Sequence, residues 1–281
     1  MSWSARMTPT TQRLALYGAL VGGVLGVVLQ APASWLGAAV AHVTQQRILL
    51  LNPQGTLWQG SAQWHLSDGQ RDWQDVQQGA PLHSRRLTSP VQWQIAPKFD
   101  FKHMNIGLQL AIHTACCTPT PLQWRLTPTW QGLRIRSNDH ASQWPAKWLV
   151  GLGAPWNTVQ PDGQLQLRTQ QFEWLQPWQT SKGQGQMQGQ ISLQWQHLST
   201  RLSTLQPLGN YRLVVTGGEL PQLQLNTLEG SLLLEGRGEW RQGRLRFRGE
   251  AKAQNGAETA LSNLLNVLGQ RRGNTSIMEI G

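Results

Sequence analysis

Apolar and polar side chains alternate along much of this chain. From Met104 to Ile112 every even-numbered residue is apolar, with polar or small residues between them. The same alternation returns over residues 187–195 and 245–253. Successive side chains of a β-strand point to opposite sides, so this repeat predicts strands with one apolar and one polar face. Turn-forming clusters of Pro, Gly, Asn and Asp separate the segments. We expect a mainly β fold of antiparallel amphipathic strands, arranged as a sheet or a sandwich-like domain.

Two segments follow a helical repeat instead. Residues 142–152 and 257–268 are predicted to form short helices, and in the second of them leucines recur every third or fourth residue. Each predicted helix follows a block of strands. We interpret this order as an internal duplication, with halves over residues 54–153 and 159–281.

The N-terminal region has the strongest apolar character of the chain. No charged residue occurs between Arg13 and Arg47, and residues 14–29 approach the length of about 20 apolar residues that crosses a bilayer. Positive charges on the short N-terminal side predict that this side stays in the cytoplasm. The predicted regions are a cytoplasmic N-terminus over 1–12, a transmembrane anchor with its membrane-proximal segment over 13–41, and a periplasmic β domain over 42–281.

The same region has a second interpretation. Ala31-Pro32-Ala33 followed by Ser34 is similar to a signal-peptidase site, so residues 14–33 are either a retained anchor or a cleaved signal. In a bacterium, both alternatives place the rest of the chain in the periplasm. The retained anchor predicts a single-pass protein of the inner membrane.

Residues 52–66, NPQGTLWQGSAQWHL, place two glycines around a Thr-Leu-Trp sequence. A phosphate-binding loop would need a helix after it and usually a lysine or an acidic residue, and this segment has neither. The even positions from Thr56 to Leu66 form a mainly apolar side instead. This pattern predicts a strand with a bend or bulge at Gly60.

Tryptophan is unusually frequent, with 15 residues in the chain. Those on the apolar side of predicted strands are expected to line a core or a groove, because a carbohydrate-binding platform would expose its rings instead. The candidate lining residues are Trp58, Trp64, Trp93, Trp124 and Trp195.

The formal net charge is +10, but the chain has no Lys/Arg block of the kind found in nucleic-acid-binding tails, so we expect no nucleic-acid partner. Positive charge is concentrated in one region, and two interpretations stay open. The region is either a solvated outer strand whose charges keep foreign strands away, or a contact for anionic headgroups or an acidic partner. The residues concerned are Arg237, Arg241, Arg244, Arg246 and Arg248.

The sequence has no recognisable catalytic or metal-binding motif. The seven histidines lack zinc-site spacing, and the pairs Asp72/Asp75 and Asp139/His140 have no neighbour in sequence that would orient them. Cys116 and Cys117 are adjacent, and neighbours in an extended chain point opposite ways, so we expect free thiols and no disulfide framework. We therefore expect a protein without enzymatic activity, cofactor or metal.

The order of several segments resembles a known family. GTLWQGSA, PLQWRLTPTWQGLRI, WPAKWLVGLGAPWNTVQPDGQLQL and LSNLLNVLGQ follow the apolar N-terminal run. Together they resemble protein N of the bacterial type II secretion system, the GspN family. The adjacent cysteines and the high Gln and Trp content depart from that pattern.

The resemblance implies an inner-membrane protein with one span and a large periplasmic β domain. It implies an accessory part in exporting folded proteins across the outer membrane, without catalytic residues. Its expected partners are the outer-membrane secretin, the inner-membrane connector or the secreted cargo. A more distant resemblance to AsmA-like proteins implies a second role, in which an apolar groove binds or transfers membrane lipid.

Overall fold

A computed structural model of the protein describes residues 9–69, 86–100, 105–179 and 185–281. Three residues that entered the predictions above, Met104, Asp72 and Asp75, lie outside the described residues.

Strands dominate the described chain. The strands are β1 (Ile48–Gly55), β2 (Gln59–Leu66), β3 (Val91–Asp100), β4 (Asn105–Thr114), β5 (Leu122–Pro128), β6 (Gly132–Ser137), β7 (His140–Pro145), β8 (Asp162–Pro177), β9 (Gln186–Ser199), β10 (Gly209–Gly218), β11 (Gln222–Gly230), β12 (Leu232–Arg241), β13 (Arg244–Ala253), β14 (Gln270–Arg272) and β15 (Thr275–Ile280). The helices are α1 (Pro9–Leu29), α2 (Ala33–Val43), a 3₁₀ helix (Ala146–Leu152), α3 (Trp156–Val159) and α4 (Glu258–Leu268).

These strands form one antiparallel sheet in the order β1-β2-β3-β4-β5-β6-β8-β9-β10-β11-β12-β13-β15-β14, with β7 also paired to β8. The predicted mainly β, antiparallel fold is confirmed. Of the two arrangements left open, a sheet or a sandwich-like domain, the described strands form the single sheet. The reason is local connectivity: almost every strand pairs with its neighbour along the chain, so each turn adds one strand to the same sheet.

The apolar side chains of successive strands lie on the same side of this sheet. Leu108 pairs with Leu126, Leu126 with Ile135, and Ile135 with Trp174. Directly opposed residues of antiparallel strands point to the same side, so the row continues from β4 to β8. We call this side of the sheet the apolar face and the other side the polar face.

Two helices cover parts of the apolar face. Ala33 of α2 is buried with Ala62 and Trp93 of the first strands. At the other end, Leu261 and Leu265 of α4 are fully buried in a larger cluster. Burying one leucine side chain stabilises a fold by roughly 1.5–3 kcal/mol, so α4 holds its end of the sheet firmly.

The two predicted helices have different outcomes. The helix expected over 257–268 is confirmed as α4. The helix expected over 142–152 is partly wrong, because residues up to Pro145 belong to β7 and only the following segment forms a 3₁₀ helix. The ring of Pro145 disfavours a helical backbone at Trp144, which accounts for the strand. The internal duplication stays a prediction.

The two cysteines form a disulfide with each other, so the prediction of free thiols is wrong. That prediction assumed an extended chain at this point. The backbone turns instead, and the carbonyl of Thr114 accepts hydrogen bonds from the backbone N–H of Cys117 and of Thr118, each at 3.0 Å. In this turn, neighbouring side chains no longer point to opposite sides.

Helix α1 packs differently from the other helices. Every residue from Ala15 to Gln30 is exposed. Within the described part of the chain, no helix combines the length and the apolar character needed to cross a bilayer. The transmembrane anchor over 13–41 therefore stays a prediction.

Candidate interaction surfaces

The acid–base pair considered from the sequence has a structural role. Asp139 Oδ1 accepts a hydrogen bond of 2.6 Å from the backbone N–H of Gln171, at the irregularity in the pairing of β8 with β9. His140 is buried, and burial lowers the pKa of its imidazole below the usual value. Among the described residues, no group of His, Cys, Asp and Glu is arranged to hold a metal ion.

The five arginines singled out by the sequence all lie exposed on the polar face of the β12–β13 hairpin. Arg237 is directly opposite Arg248, and Arg241 is directly opposite Arg244. Like charges in directly opposed positions destabilise a sheet. The charges of this surface therefore lower the stability of the hairpin that carries them.

Two glutamates offset part of this charge. Glu239 lies 2.6 Å from Nε of Arg241, and Glu279 lies 3.6 Å from Nε of Arg248. Arg246 has no ion pair of this kind among the described residues. The surface keeps a net positive charge.

The position of the hairpin in the sheet separates the two interpretations of the arginines. β12 is paired with β11 and β13, and β13 from Phe247 to Lys252 is covered by β15. Most of the hairpin is therefore inside the sheet, where foreign strands have no access. The short edge strand β14 carries its own exposed charges, Arg271 and Arg272, which suit the protective role.

An open cleft of about 560 Å³ lies beside the arginines. Arg237, Arg246 and Arg248 line it together with Gln222, Gln224 and two glutamates, Glu239 and Glu279, so three positive charges face two negative ones. Guanidinium and amide groups around an open cleft suit a polar, mainly acidic surface of another molecule. We call Arg237, Arg246 and Arg248 the arginine surface.

Three of the five tryptophans hold the N-terminal part of the sheet together. Trp58 donates its indole N–H to the carbonyl of Val28 at 2.8 Å, which fixes the end of α1. Trp93 is buried against the backbone of Gly60, where an added Cβ would lie 2.5 Å from the ring. At Gly60, where we predicted a bend, the absence of a side chain therefore lets the ring of Trp93 lie directly against the strand.

Trp64 shows how this part of the sheet is curved. Its ring centroid lies 5.7 Å from that of Trp144 and 5.0 Å from that of Trp148, and those two rings are stacked. Trp64 is on β2 and Trp144 is on β7, which pairs with β8, although β3, β4, β5 and β6 lie between β2 and β8 in the sheet. The apolar face is therefore on the inside of the curve, and the three rings close one end of it.

Trp124 and Trp195 are the two candidates that line the open apolar face. Both are half-buried, and Trp124 packs beside Phe172 at a centroid distance of 6.3 Å. Trp195 donates its indole N–H to the carbonyl of Asp162 at 3.2 Å. Many aliphatic side chains of the apolar face are also only half-buried, including Leu126, Ile135, Leu193, Leu213 and Val215.

The comparisons with known proteins identify the family. The profile of the family described as type II secretion system (T2SS), protein N, matches residues 46–277. The chain belongs to the type II secretion system protein N family. No curated protein and no solved structure matches the chain.

Membership of the protein N family confirms the resemblance drawn from the sequence. The matched range begins at the turn before β1 and ends inside β15, so it takes in both the arginine surface and the tryptophans of the apolar face. The family description supports a part in type II secretion.

Two exposed tryptophans of this protein N were not among the candidates. Trp130 is 88% exposed in the β5–β6 turn, and Trp178 is 59% exposed just after β8. Sequence reasoning considered only tryptophans on alternating strands. The available signal was the position of both residues at strand ends, beside turn-forming Pro, Thr and Gln residues.

Proposed function

We propose that this protein N is a non-catalytic, periplasmic accessory component of type II secretion, which holds an acidic partner at the inner membrane while folded proteins are exported. The arginine surface is the observation that carries the proposal. It is exposed, its Arg237 and Arg248 lie on strands that are paired on both sides, and these two arginines repel each other across the β12–β13 pair. An acidic surface of the secretin, the inner-membrane connector or the cargo would relieve that repulsion.

The membrane attachment is part of the same proposal. A helix that is apolar on all sides is stable when buried in protein or in lipid, and α1 is exposed on all sides from Ala15 to Gln30. Lipid around α1 would cover these side chains. The proposed topology has residues 1–12 in the cytoplasm, residues 13–41 as the single-pass anchor and residues 42–281 in the periplasm.

Contacts at the end of α1 favour a retained anchor over a cleaved signal. Ala31 and Ala33 are both 2% exposed, and the carbonyl of Ala31 accepts a 2.7 Å hydrogen bond from the backbone N–H of Leu57. Cleavage before Ser34 would remove both alanines from the folded domain. We expect the mass of the purified chain to include its N-terminal segment, and a mature chain starting at Ser34 would refute the anchor.

The secretion role can be tested by complementation in the native host. A strain lacking this gene is complemented with the wild-type chain or with an Arg246→Glu/Arg248→Glu variant, and secreted type II cargo is measured. We expect the variant to lose secretion although its level in the membrane is normal. Arg125→Glu/Arg212→Glu is the matched control, because it reverses the same number of exposed arginines elsewhere on the polar face.

Two outcomes would contradict the proposal. Normal cargo secretion in the deletion strain, while the secretion system is active, would exclude a direct part in export. Equal defects in the two double variants would show that general loss of positive charge, and not the arginine surface, is responsible.

A second candidate function is lipid binding by the apolar face. The observation that favours it is the curvature shown by Trp64 and Trp144, combined with half-buried side chains along the apolar face, such as Ile135 on the inside of the curve and Leu213 further along the same face. Acyl chains would cover these residues in the way that a second sheet covers the inner face of a sandwich.

Native mass spectrometry of the full chain tests this alternative. Co-purified phospholipid is expected in the wild type, and Leu213→Asp should remove it because a carboxylate would enter the apolar face. Arg212→Asp is the control, since the neighbouring residue points to the polar face. A wild-type chain without lipid would exclude the groove.

A further inference from the structure

In an antiparallel sheet, every second turn lies along the same one of the two sides formed by the strand ends. In this sheet, the turns on one of these sides expose large apolar and aromatic residues. The hairpins β1–β2, β3–β4, β5–β6, β8–β9, β10–β11 and β12–β13 all point to this side, because consecutive strands run in opposite directions. We call the described strand ends and turns of these hairpins the tip edge.

Large apolar residues are exposed at most of these tips. They are Phe99, Ile106, Trp130, Trp178 and Leu220, which belong to four different hairpins. Among the described residues, the other exposed aromatic side chains are Tyr17 on α1 and Trp35 in the first turn of α2. The opposite edge exposes aliphatic residues such as Leu228 and Leu233, but no exposed aromatic residue within the described ranges. Exposed aromatic side chains are therefore concentrated on one edge and on the helices next to it.

The two tip tryptophans are held firmly in place. Thr129 and Gly132 close the β5–β6 turn with backbone hydrogen bonds of 2.8 and 3.3 Å, so Trp130 projects from a tight turn. The indole N–H of Trp178 donates to the carbonyl of Thr129 at 2.7 Å, which links the end of β8 to the same turn. The ring of Trp178 can thus enter an apolar environment without losing a hydrogen bond.

Helix α1 meets the sheet at this same edge. Pro32, directly after α1, forms a bridge with Thr56 in the β1–β2 turn, and the indole of Trp58 is bonded to Val28. At the far end of the edge, Arg241 and Arg244 face each other at the tip of β12–β13. The tip edge therefore runs from an exposed apolar helix, across aromatic tips, to a pair of arginines.

We infer that the tip edge rests on the surface of a phospholipid bilayer. Tryptophan and other aromatic rings favour the headgroup region, where the apolar ring and the polar N–H both find suitable surroundings. Arginines near the surface are attracted to anionic lipids. The inference rests on the proposed membrane anchor, because α1 brings the edge to the bilayer, but the contact itself is separate from the anchor.

The register predicts which tip reaches furthest. Gln59, at the start of β2, pairs with Gln94, and the β3–β4 hairpin continues beyond this point to Asp100. The hairpin therefore extends past the turn that receives α1. Ile106, which is 63% exposed and opposite Phe99, is level with Pro128 of β5, because Leu108 pairs with Leu126. Trp130 in the next turn, which is 88% exposed, extends further and is the tip residue expected to enter the lipid most deeply.

Site-directed fluorescence with lipid quenchers tests the contact in the full chain. Single cysteines replace Ile106, Trp130, Leu220, Thr204 or Leu20, and each is labelled with a polarity-sensitive fluorophore; the native cysteines are bonded to each other and stay unlabelled. The labelled chains are reconstituted in vesicles of phosphatidylethanolamine and phosphatidylglycerol, with or without quencher-bearing lipid. Thr204 is the control, because it is exposed in the turn between β9 and β10 at the opposite edge.

We expect loss of fluorescence at the three tip positions, strongest at Trp130→Cys, and none at Thr204→Cys. Tip labels as unquenched as the Thr204 label, with Leu20→Cys quenched, would overturn the lipid contact and leave the anchor intact. Quenched tips with an unquenched Leu20 label would support the contact and refute the anchor. Tips shielded from aqueous iodide but not quenched by lipid would indicate contact between copies of the chain, which also overturns the inference.

Discussion

Helix α4 offers the most direct test of how the sheet is held at its C-terminal end. Leu265 is fully buried between α4 and the strands β10, β12 and β13, in a cluster that includes Leu232 and Ala251. Leu265→Ala removes three carbon atoms from this cluster. At about 0.8 kcal/mol for each buried methylene-sized group, the lost transfer free energy is roughly 2.4 kcal/mol. The cavity left behind adds to this, so we expect the free energy of unfolding to fall by about 3–4 kcal/mol.

Urea unfolding of the full chain, followed by tryptophan fluorescence, measures this loss. Trp195 packs against the same cluster and makes the signal sensitive to this end of the sheet. The matched control is Val267→Ala in the same helix, because Val267 is 45% exposed and its truncation should change stability only slightly. If the two variants unfold at the same urea concentration, α4 does not hold the sheet as the packing indicates.

Three further expectations can be checked with purified protein. Gly60→Ala should destabilise the N-terminal strands by about 1–3 kcal/mol, because the new Cβ collides with the ring of Trp93; a urea midpoint equal to the wild type would contradict this. Burial lowers the pKa of His140 below 6.5, so the unfolded chain takes up the proton first as the pH falls. The free energy of unfolding should therefore decrease below pH 6.5. His140→Asn should make that decrease smaller, which unfolding midpoints measured at several pH values would show. Thiol titration of the denatured, unreduced chain should detect no free thiol and should detect both cysteines after reduction, whereas free thiols before reduction would exclude the disulfide between Cys116 and Cys117.

The strands were predictable from the sequence because their signal is local. The alternation around Leu108 and Leu110 reports which side of a strand is apolar, whatever that strand pairs with. The amphipathic helix α4 was predictable for the same reason. Chain-wide alternation does not distinguish one long sheet from two facing sheets, since both require one apolar side for each strand.

The errors arose where a long-range or conformational constraint decides the outcome. The disulfide depends on the turn at Thr114, which alternation does not reveal. The contact between Trp64 and Trp144 depends on the curvature of the intervening strands. The two tip tryptophans share one surface only because their hairpins point in the same direction. Only the strand order brings these residues into a common environment, and the alternation of apolar and polar residues does not reveal that order.

The pairing of nearly every strand with its neighbour along the chain has a consequence for folding and evolution. Contacts that are close in sequence close small loops, so this large β protein avoids much of the entropic delay usual for sheets with distant pairings. Such an array also resembles a repeat protein, in which each unit depends mainly on the next one. A hairpin could be inserted or lost between β9 and β13 without rearranging the others. Relatives of different length could therefore keep the same architecture and differ only in how far the sheet extends.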